Sequence, residues 1–289
     1  MNEFVVGVDG SDHSRMALQW AAATAASAGV PVRAVQSWTQ PVLPTSALMP
    51  VAPVLFSAKE SEEMDELTQQ SVTAVTTDIL GSSAPVTTNA LRGPPASALL
   101  QTVTPDDVLV LGSRGRGGFA GLLLGSVSQE CVEYASCPVV VVRTDRIVGD
   151  GDVILVGKDG SESAQRALAW AHALAAITGA GLHAVHAWRA SVSERPPSVG
   201  ERLRSEAAQE VQGWTEQISD EIESEEVEGD PRDVLVSAAA RLDSALTVVG
   251  RRGAGGLRSM RLGSTANHLV RHSAANVAVV PDAGDGADA

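Results

Sequence analysis

Residues 108–126 read VLVLGSRGRGGFAGLLLGS, and residues 246–264 read LTVVGRRGAGGLRSMRLGS. Each stretch begins with a short apolar run that is typical of a buried strand, and a glycine-rich segment follows it directly. The glycines have the same spacing in both stretches, with a pattern of glycine, two residues, glycine, nine residues and then Gly-Ser. A strand that leads through such a segment into a helix predicts an α/β fold with an anion site after this strand.

The two halves of the chain also repeat each other outside these stretches. The segment VGVDGS at residues 6–11 recurs as VGKDGS at 156–161, and the segment AVQSW at 34–38 recurs as AVHAW at 184–188. The repeat predicts two homologous domains, over residues 1–146 and 151–282. We expect the small acidic tail at 283–289 to be disordered.

Composition narrows the class of protein and its partners. The chain has 289 residues, of which 44% are hydrophobic, and this suffices for two globular domains. Its net charge of −14 argues against nucleic acid and anionic membranes as partners. The spacing of Cys131 and Cys137 matches neither a redox pair nor a zinc site, which favours two reduced thiols. The N-terminus lacks the basic region of a signal peptide, so we expect a cytoplasmic protein.

Short apolar strands alternate with helical patterns within each half. In the first half the strands are predicted at 4–8, 32–38, 86–91, 108–111 and 139–142, and the helices at 11–28, 57–80 and 96–103. Apolar residues from Leu203 to Ile222 predict the second-half counterpart of the long helix. This alternation predicts a parallel sheet with helices on both of its faces. The proline-rich segment Pro41–Pro53 is interpreted as a loop or lid near the site.

The glycine segment has the residue types that bind a phosphate. Glycine lets backbone N–H groups approach an anion, and the helix that opens at Gly125-Ser126 adds its positive dipole end. Arginine side chains of the segments can grip phosphate oxygens, although Arg251 and Arg252 could also form a solvated pair. The predicted phosphate site comprises Gly112, Arg114, Gly115, Arg116, Gly125 and Ser126 in the first half, and Gly250, Arg252, Gly253, Gly263 and Ser264 in the second.

An aspartate closes the first strand of each half, at Asp9 and Asp159. It lies beside the glycine segment in such a fold and can accept hydrogen bonds from an adenine or a ribose. The alternative is that it only caps the Asp-Gly-Ser turn. His268 and His272 have the spacing of a helical metal pair, but no third ligand accompanies them, so no metal site is predicted.

These motifs resemble those of the universal stress protein family, and the resemblance covers essentially the whole chain twice. It implies two tandem Rossmann-like α/β domains, each with a five-stranded parallel sheet, and tandem members of the family are common in actinobacteria. It implies ATP, with or without magnesium, as the cofactor, a homodimer with contacts through the last strand, and a role in the cytoplasmic stress response. By the same match Ser37 and Ala187 line the adenine pocket. Arg116 is replaced by Ala254 and Val127 by Thr265, which predicts that the two sites differ in affinity.

The sequence favours a nucleotide-binding regulator over an enzyme. It contains no Walker A motif, no nucleophile elbow and no evident cluster of metal-binding carboxylates. Slow ATP hydrolysis is one alternative, and binding of AMP or cyclic AMP is a second. A third alternative is an interaction scaffold whose nucleotide sites are empty. The downstream protein partner does not follow from the sequence.

Overall fold

The computed structural model describes residues 1–40, 56–117, 123–189, 213, 222–254 and 260–282. In the first half the strands are β1 (Phe4–Gly7), β2 (Val32–Trp38), β3 (Val86–Arg92), β4 (Val108–Gly112) and β5 (Val139–Val142). Its helices are α1 (Asp12–Ala28), α2 (Ala58–Leu80), α3 (Pro95–Leu100) and α4 (Ser126–Tyr134). The predicted elements of this half are confirmed to within a few residues.

The second half repeats this order. Its strands are β6 (Val153–Lys158), β7 (Gly181–Trp188), β8 (Glu223–Glu228), β9 (Leu246–Gly250) and β10 (Asn276–Val280). Its described helices are α5 (Glu162–Thr178), α6 (Pro231–Arg241) and α7 (Ser264–His272). The Pro41–Pro53 segment, the tail at 283–289 and nearly all of the predicted Leu203–Ile222 helix lie outside the described residues. Ile222 itself directly precedes β8 and is not helical, so the helix prediction is wrong at that position.

Side-chain caps start the helices where the sequence predicts them. The Ser11 hydroxyl oxygen accepts a hydrogen bond from the Ser14 N–H at 3.3 Å, and Ser161 caps α5 in the same way. Such a cap satisfies an N–H group that has no partner within the helix. Gly29 ends α1 in the left-handed conformation, with φ at 66°.

The ten strands form one sheet with the order β3-β2-β1-β4-β5-β10-β9-β6-β7-β8. All pairs within each half are parallel, which confirms the α/β class and the five-stranded parallel sheet for each half. The halves meet where β5 and β10 pair antiparallel, with Val140 opposite Ala278. The sequence left open whether the last strands pair within one chain or between chains, and here they pair within the chain.

Each face of the sheet carries an apolar core that contains residues of both halves. The cluster on one face joins residues of α1, α2 and α5, among them the fully buried Leu18 and Leu174. The cluster on the opposite face joins residues of α3, α4, α6 and α7, among them Leu269. None of the described helices is both long and apolar enough to cross a membrane.

Polar contacts also connect the two halves. The side chain of Asn276 is fully buried, and its oxygen accepts hydrogen bonds from the N–H groups of Arg143 at 2.8 Å and Thr144 at 3.1 Å. Its amide group donates to the Arg146 carbonyl at 2.9 Å. The Arg143 guanidinium donates to the Arg271 carbonyl in the last turn of α7 at 3.0 Å. Cations favour the carbonyl end of a helix, so Arg143 stabilises α7 from the other half.

Candidate functional site

Each half has a cleft at the carboxyl ends of its strands. The first cleft has a volume of about 490 Å³ and the second about 470 Å³. In each half the strand order reverses beside the first strand (β1 or β6), and ligands of open α/β sheets bind at such a switch point. The predicted site residues of the first half that line the first cleft are Asp9, Ser37, Gly112, Arg114, Gly115, Arg116, Gly125, Ser126 and Val127. Those that line the second cleft are Asp159, Ala187, Gly250, Arg252, Gly253, Gly263, Ser264 and Thr265.

The Asp9 carboxylate joins the turn after β1 to the glycine segment after β4. Its Oδ1 accepts a hydrogen bond from the Ser11 N–H at 2.9 Å, and its Oδ2 accepts one from the Arg116 N–H at 2.8 Å. Burial acts to raise the pKa of Asp9, but the hydrogen bonds from Ser11 and Arg116 outweigh it and lower the pKa. Asp9 is therefore an ionised tether between two loops as well as a turn cap.

The second half has the same tether. The Asp159 Oδ2 accepts a hydrogen bond from the Ala254 N–H at 2.8 Å, and its Oδ1 accepts from the Ser161 hydroxyl at 2.6 Å. Gly10 and Gly160, which follow the two aspartates, have φ values of 77° and 78°, where a side chain would be strained. The Asp-Gly-Ser sequences thus form the same turn in both halves.

The first turns of α4 and α7 line the two clefts. Gly125 and Gly263 occupy their N-cap positions, and neither helix has a side-chain cap hydrogen bond. The first N–H groups of a helix lack partners within the helix, so these termini can bind an anion in the cleft. The side chains of Ser126 and Ser264 add a hydroxyl donor beside each terminus.

The three glycines of the spaced pattern in the first half are explained by different features of the structure. A side-chain carbon at Gly112 would lie 2.6 Å from the backbone of His13, and one at Gly115 would lie 2.5 Å from Asp9 Oδ2. These two glycines therefore permit close contact within the protein. At Gly125 the nearest atom would be 3.6 Å away and φ is −73°, so nothing within the protein requires glycine there.

The arginines of the two segments have different environments. Arg114 and Arg116 are exposed, and the Arg114 Nε donates a hydrogen bond to His13 Nε2 at 2.9 Å. Burial, followed by the charges of Arg114 and Arg143, lowers the pKa of His13. In the second segment Arg252 pairs with Asp282, whereas Arg251 is only 2% exposed and donates to the Ala135 carbonyl of the first half. The interpretation of Arg251 and Arg252 as a solvated pair is therefore wrong.

Sequence reasoning missed several residues that line the clefts. Lys158 lies in the second cleft at the position that Val8 has in the first, and it is 4% exposed. Burial lowers the pKa of Lys158 to about 8. Leu99 and Leu235 add apolar side chains to the lining of the first and the second cleft. Comparison of the two repeats could have indicated Lys158, because VGKDGS differs from VGVDGS only at this position.

The described residues hold no group of three or more His, Cys, Asp and Glu side chains that could bind a metal ion. The imidazole rings of His268 and His272 stack with their centroids 4.4 Å apart. Burial, followed by the charge of His272, lowers the pKa of His268. The pair behaves as two packed rings on α7.

The fold and the clefts define a tandem α/β protein with one Rossmann-like domain and one anion-compatible cleft in each half. A family model described as the universal stress protein family matches residues 1–143 and 152–281. A universal stress protein of Mycobacterium tuberculosis is 34% identical over 287 residues, which cover 96% of this chain and 95% of that protein. The chain therefore belongs to the universal stress protein family, as a member with two tandem domains.

Two further proteins illustrate the similarity. A universal stress protein of Mycolicibacterium smegmatis is 31% identical over 289 residues, which cover 96% of each chain. The crystal structure of a universal stress protein from Archaeoglobus fulgidus has a TM-score of 0.66 at 22% identity, and the match covers 97% of this chain and 98% of that chain. This structural similarity extends over both halves and supports the fold.

Proposed function

We propose that this protein binds an adenine nucleotide in each half, with ATP as a ligand, and acts as a nucleotide-dependent regulator in the stress response. The observation that carries the proposal is the helix terminus at each cleft, where N–H groups without a side-chain cap lie next to the glycine segment. The full spaced glycine pattern, which the family resemblance associates with ATP, is present at both clefts.

The cleft residues fit the parts of a nucleotide. The phosphates would lie on the N–H groups of Ser126 and Val127 in the first cleft, and of Ser264 and Thr265 in the second. The base would lie towards β2 or β7, beside Ser37 or Ala187. Asp9 and Asp159 would tether the glycine segments and accept a hydrogen bond from the ribose or base with their remaining lone pairs.

Magnesium would accompany ATP mainly through the phosphate oxygens. Asp9 is the one carboxylate among the described residues that line the first cleft, and Asp159 is its counterpart in the second. Both carboxylates already accept two or more hydrogen bonds. Magnesium usually combines a few carboxylates with substrate phosphates and keeps several waters, which agrees with this arrangement.

Regulation is favoured over rapid catalysis for the same reason. The two oxygens of each cleft carboxylate bind backbone N–H groups, so neither aspartate is placed as a dedicated general base. Slow hydrolysis of ATP is at most a side activity in this proposal. AMP or cyclic AMP would occupy the same helix termini with fewer phosphate contacts.

The domain limits, the location and the oligomer are also proposals. We place the domains at residues 1–146 and 151–282 and the protein in the cytoplasm, where its two buried free thiols remain reduced. A homodimer remains a prediction. Because β5 and β10 pair within the chain, a dimer of chains would need a surface other than these last strands.

Mass spectrometry of the small molecules released from the freshly purified chain tests the proposal, together with calorimetric titration of nucleotide-free protein. We expect an adenine nucleotide to be released and to bind again. The double variant Gly115→Val and Gly253→Val should lose this binding and keep the circular dichroism of the folded protein, because both glycines lie in surface segments. Retention of nucleotide by this variant, or failure of the wild-type chain to bind any adenine nucleotide, would contradict the proposal.

A further inference from the structure

The corresponding arginines of the two clefts have different partners. The guanidinium of Arg114 contacts the imidazole of His13, and no described carboxylate forms an ion pair with it. Its counterpart Arg252 forms an ion pair with Asp282, which follows β10. The first-half position that corresponds to Asp282 is Thr144, which carries no charge. Among the described residues, a carboxylate therefore pairs with the arginine of the second cleft but not with that of the first.

The residue after the second glycine of the pattern adds to this difference. Arg116 lies over the turn after β1, where a side-chain carbon at Gly10 would be 2.9 Å from its Cζ atom. Its counterpart Ala254 makes the same backbone hydrogen bond to the aspartate tether but has no charge. This backbone hydrogen bond is therefore alike in the two clefts, whereas among the described residues an exposed cation lies over the turn in the first cleft only.

The other basic residues among the described residues that line the second cleft are buried and present no such exposed charge. Arg251 and Lys158 line the cleft, but they are only 2% and 4% exposed. The guanidinium of Arg251 contacts the Ala135 carbonyl in the first half. Arg252 is thus the one basic side chain among the described lining residues that has substantial exposure, and Asp282 neutralises it.

A triphosphate carries more negative charge and more phosphate oxygens than a monophosphate, and arginines can bind the additional oxygens. A helix N-terminus alone suits a single phosphate group. We propose that the first cleft selects a nucleoside triphosphate and the second a nucleoside monophosphate. Asp282 sets this selectivity because its ion pair with Arg252 competes with a phosphate. This inference rests on the proposed function and assigns a different ligand class to each cleft.

Photolabelling of the full-length chain with 8-azido-ATP or 8-azido-AMP tests this assignment, with mass-spectrometric mapping of the labelled peptides. In the wild-type chain we expect the ATP probe to label residues 1–143 and the AMP probe to label residues 152–281. The variant Asp282→Asn keeps the shape of the side chain and removes its charge. ATP should then bind the second cleft about tenfold more tightly, because a charge-assisted contact to Arg252 becomes available.

Asp150→Asn is the matched control, because it makes the same change of charge at an exposed residue before β6, at the amino ends of the second-half strands and thus away from the second cleft. It should leave the labelling unchanged. Equal ATP labelling of both halves in the wild-type chain, or a second cleft whose ATP affinity is the same in Asp282→Asn, would overturn the inference and leave the proposed function standing. Absence of specific labelling by both probes would instead overturn the proposed function.

Discussion

At the scale of single residues, Asp9 and Asp159 connect two loops that are far apart in the sequence. The repeat and the strand pattern were sufficient to predict that these aspartates lie beside the glycine segments. They did not predict that Asp9 accepts the N–H of Arg116, because this bond depends on the conformation of a loop 107 residues away. The environment of Arg251 was unpredictable for the same reason, since its partner Ala135 belongs to the other half.

Gly125 offers a test in which stability and binding separate. The protein has room for a methyl group at this position, and glycine is preferred over alanine at an N-cap, so Gly125→Ala should lower the free energy of unfolding by no more than about 1 kcal/mol. The methyl group would intrude on the proposed phosphate position, and we expect the ATP affinity of the first cleft to fall about tenfold. Chemical denaturation and calorimetry measure the two quantities. Gly181→Ala, which adds the same methyl group at an exposed position outside both clefts, is the control, and equal ATP affinity of both variants would contradict this explanation of Gly125.

Lys158 should leave a signature in the pH dependence of stability. Its pKa is about 8 in the folded protein and 10.5 ordinarily, so between these values the unfolded chain holds a proton that the folded chain has lost. The contribution of Lys158 to stability therefore rises with pH across this window. In Lys158→Met this rise should be absent. Urea denaturation at about pH 7.5, 9 and 10.5 spans the window and measures it. An unchanged pH profile would show that the burial of Lys158 is not as described.

At the scale of helices and strands, local signals gave most of the secondary structure. Ser11 and Gly29 delimit α1 because a side-chain cap and a left-handed glycine act over a few residues. The antiparallel pairing of β5 with β10 was not predictable, because apolar strands such as Val139–Val142 can pair in either direction and with either chain. Nor did the sequence predict the polar contacts of Asn276 between the halves.

Asn276 tests the junction between the halves. Asn276→Ala removes the acceptor for the N–H groups of Arg143 and Thr144 and leaves them without this partner in a largely buried place. We expect the free energy of unfolding to fall by about 2–3 kcal/mol, measured by urea denaturation. Asn89→Ala, at an exposed position of β3, should cost less than about 0.5 kcal/mol. Equal effects of the two substitutions would argue against the described junction.

At the scale of the whole molecule, one continuous sheet joins the two clefts. Each face of the sheet has a core that draws on both halves, so the domains are expected to support each other's stability. The outer strand β8 carries Glu223, Glu225, Glu226 and Glu228. Charged side chains on an edge strand oppose pairing with other chains, which protects this end of the sheet.

Both thiols report on the integrity of this shared core. Cys131 and Cys137 are fully buried, and burial raises the pKa of Cys137 to about 12 and also raises the pKa of Cys131. Because the thiolate is the reactive form, neither cysteine should react with Ellman's reagent at pH 8 in the native protein. Both should react once the chain is unfolded in guanidinium chloride. Rapid reaction of either thiol in the native protein would show that the core is open.

Backbone nuclear magnetic resonance of the nucleotide-free chain, titrated with ATP, tests the central claim most directly, because it reports on each N–H group separately. We expect the largest changes in amide chemical shift at the first cleft to occur at Ser126 and Val127. AMP should produce corresponding changes at Ser264 and Thr265. Changes confined to other parts of the chain, or none at saturating nucleotide, would contradict the claim that these helix termini bind the phosphates.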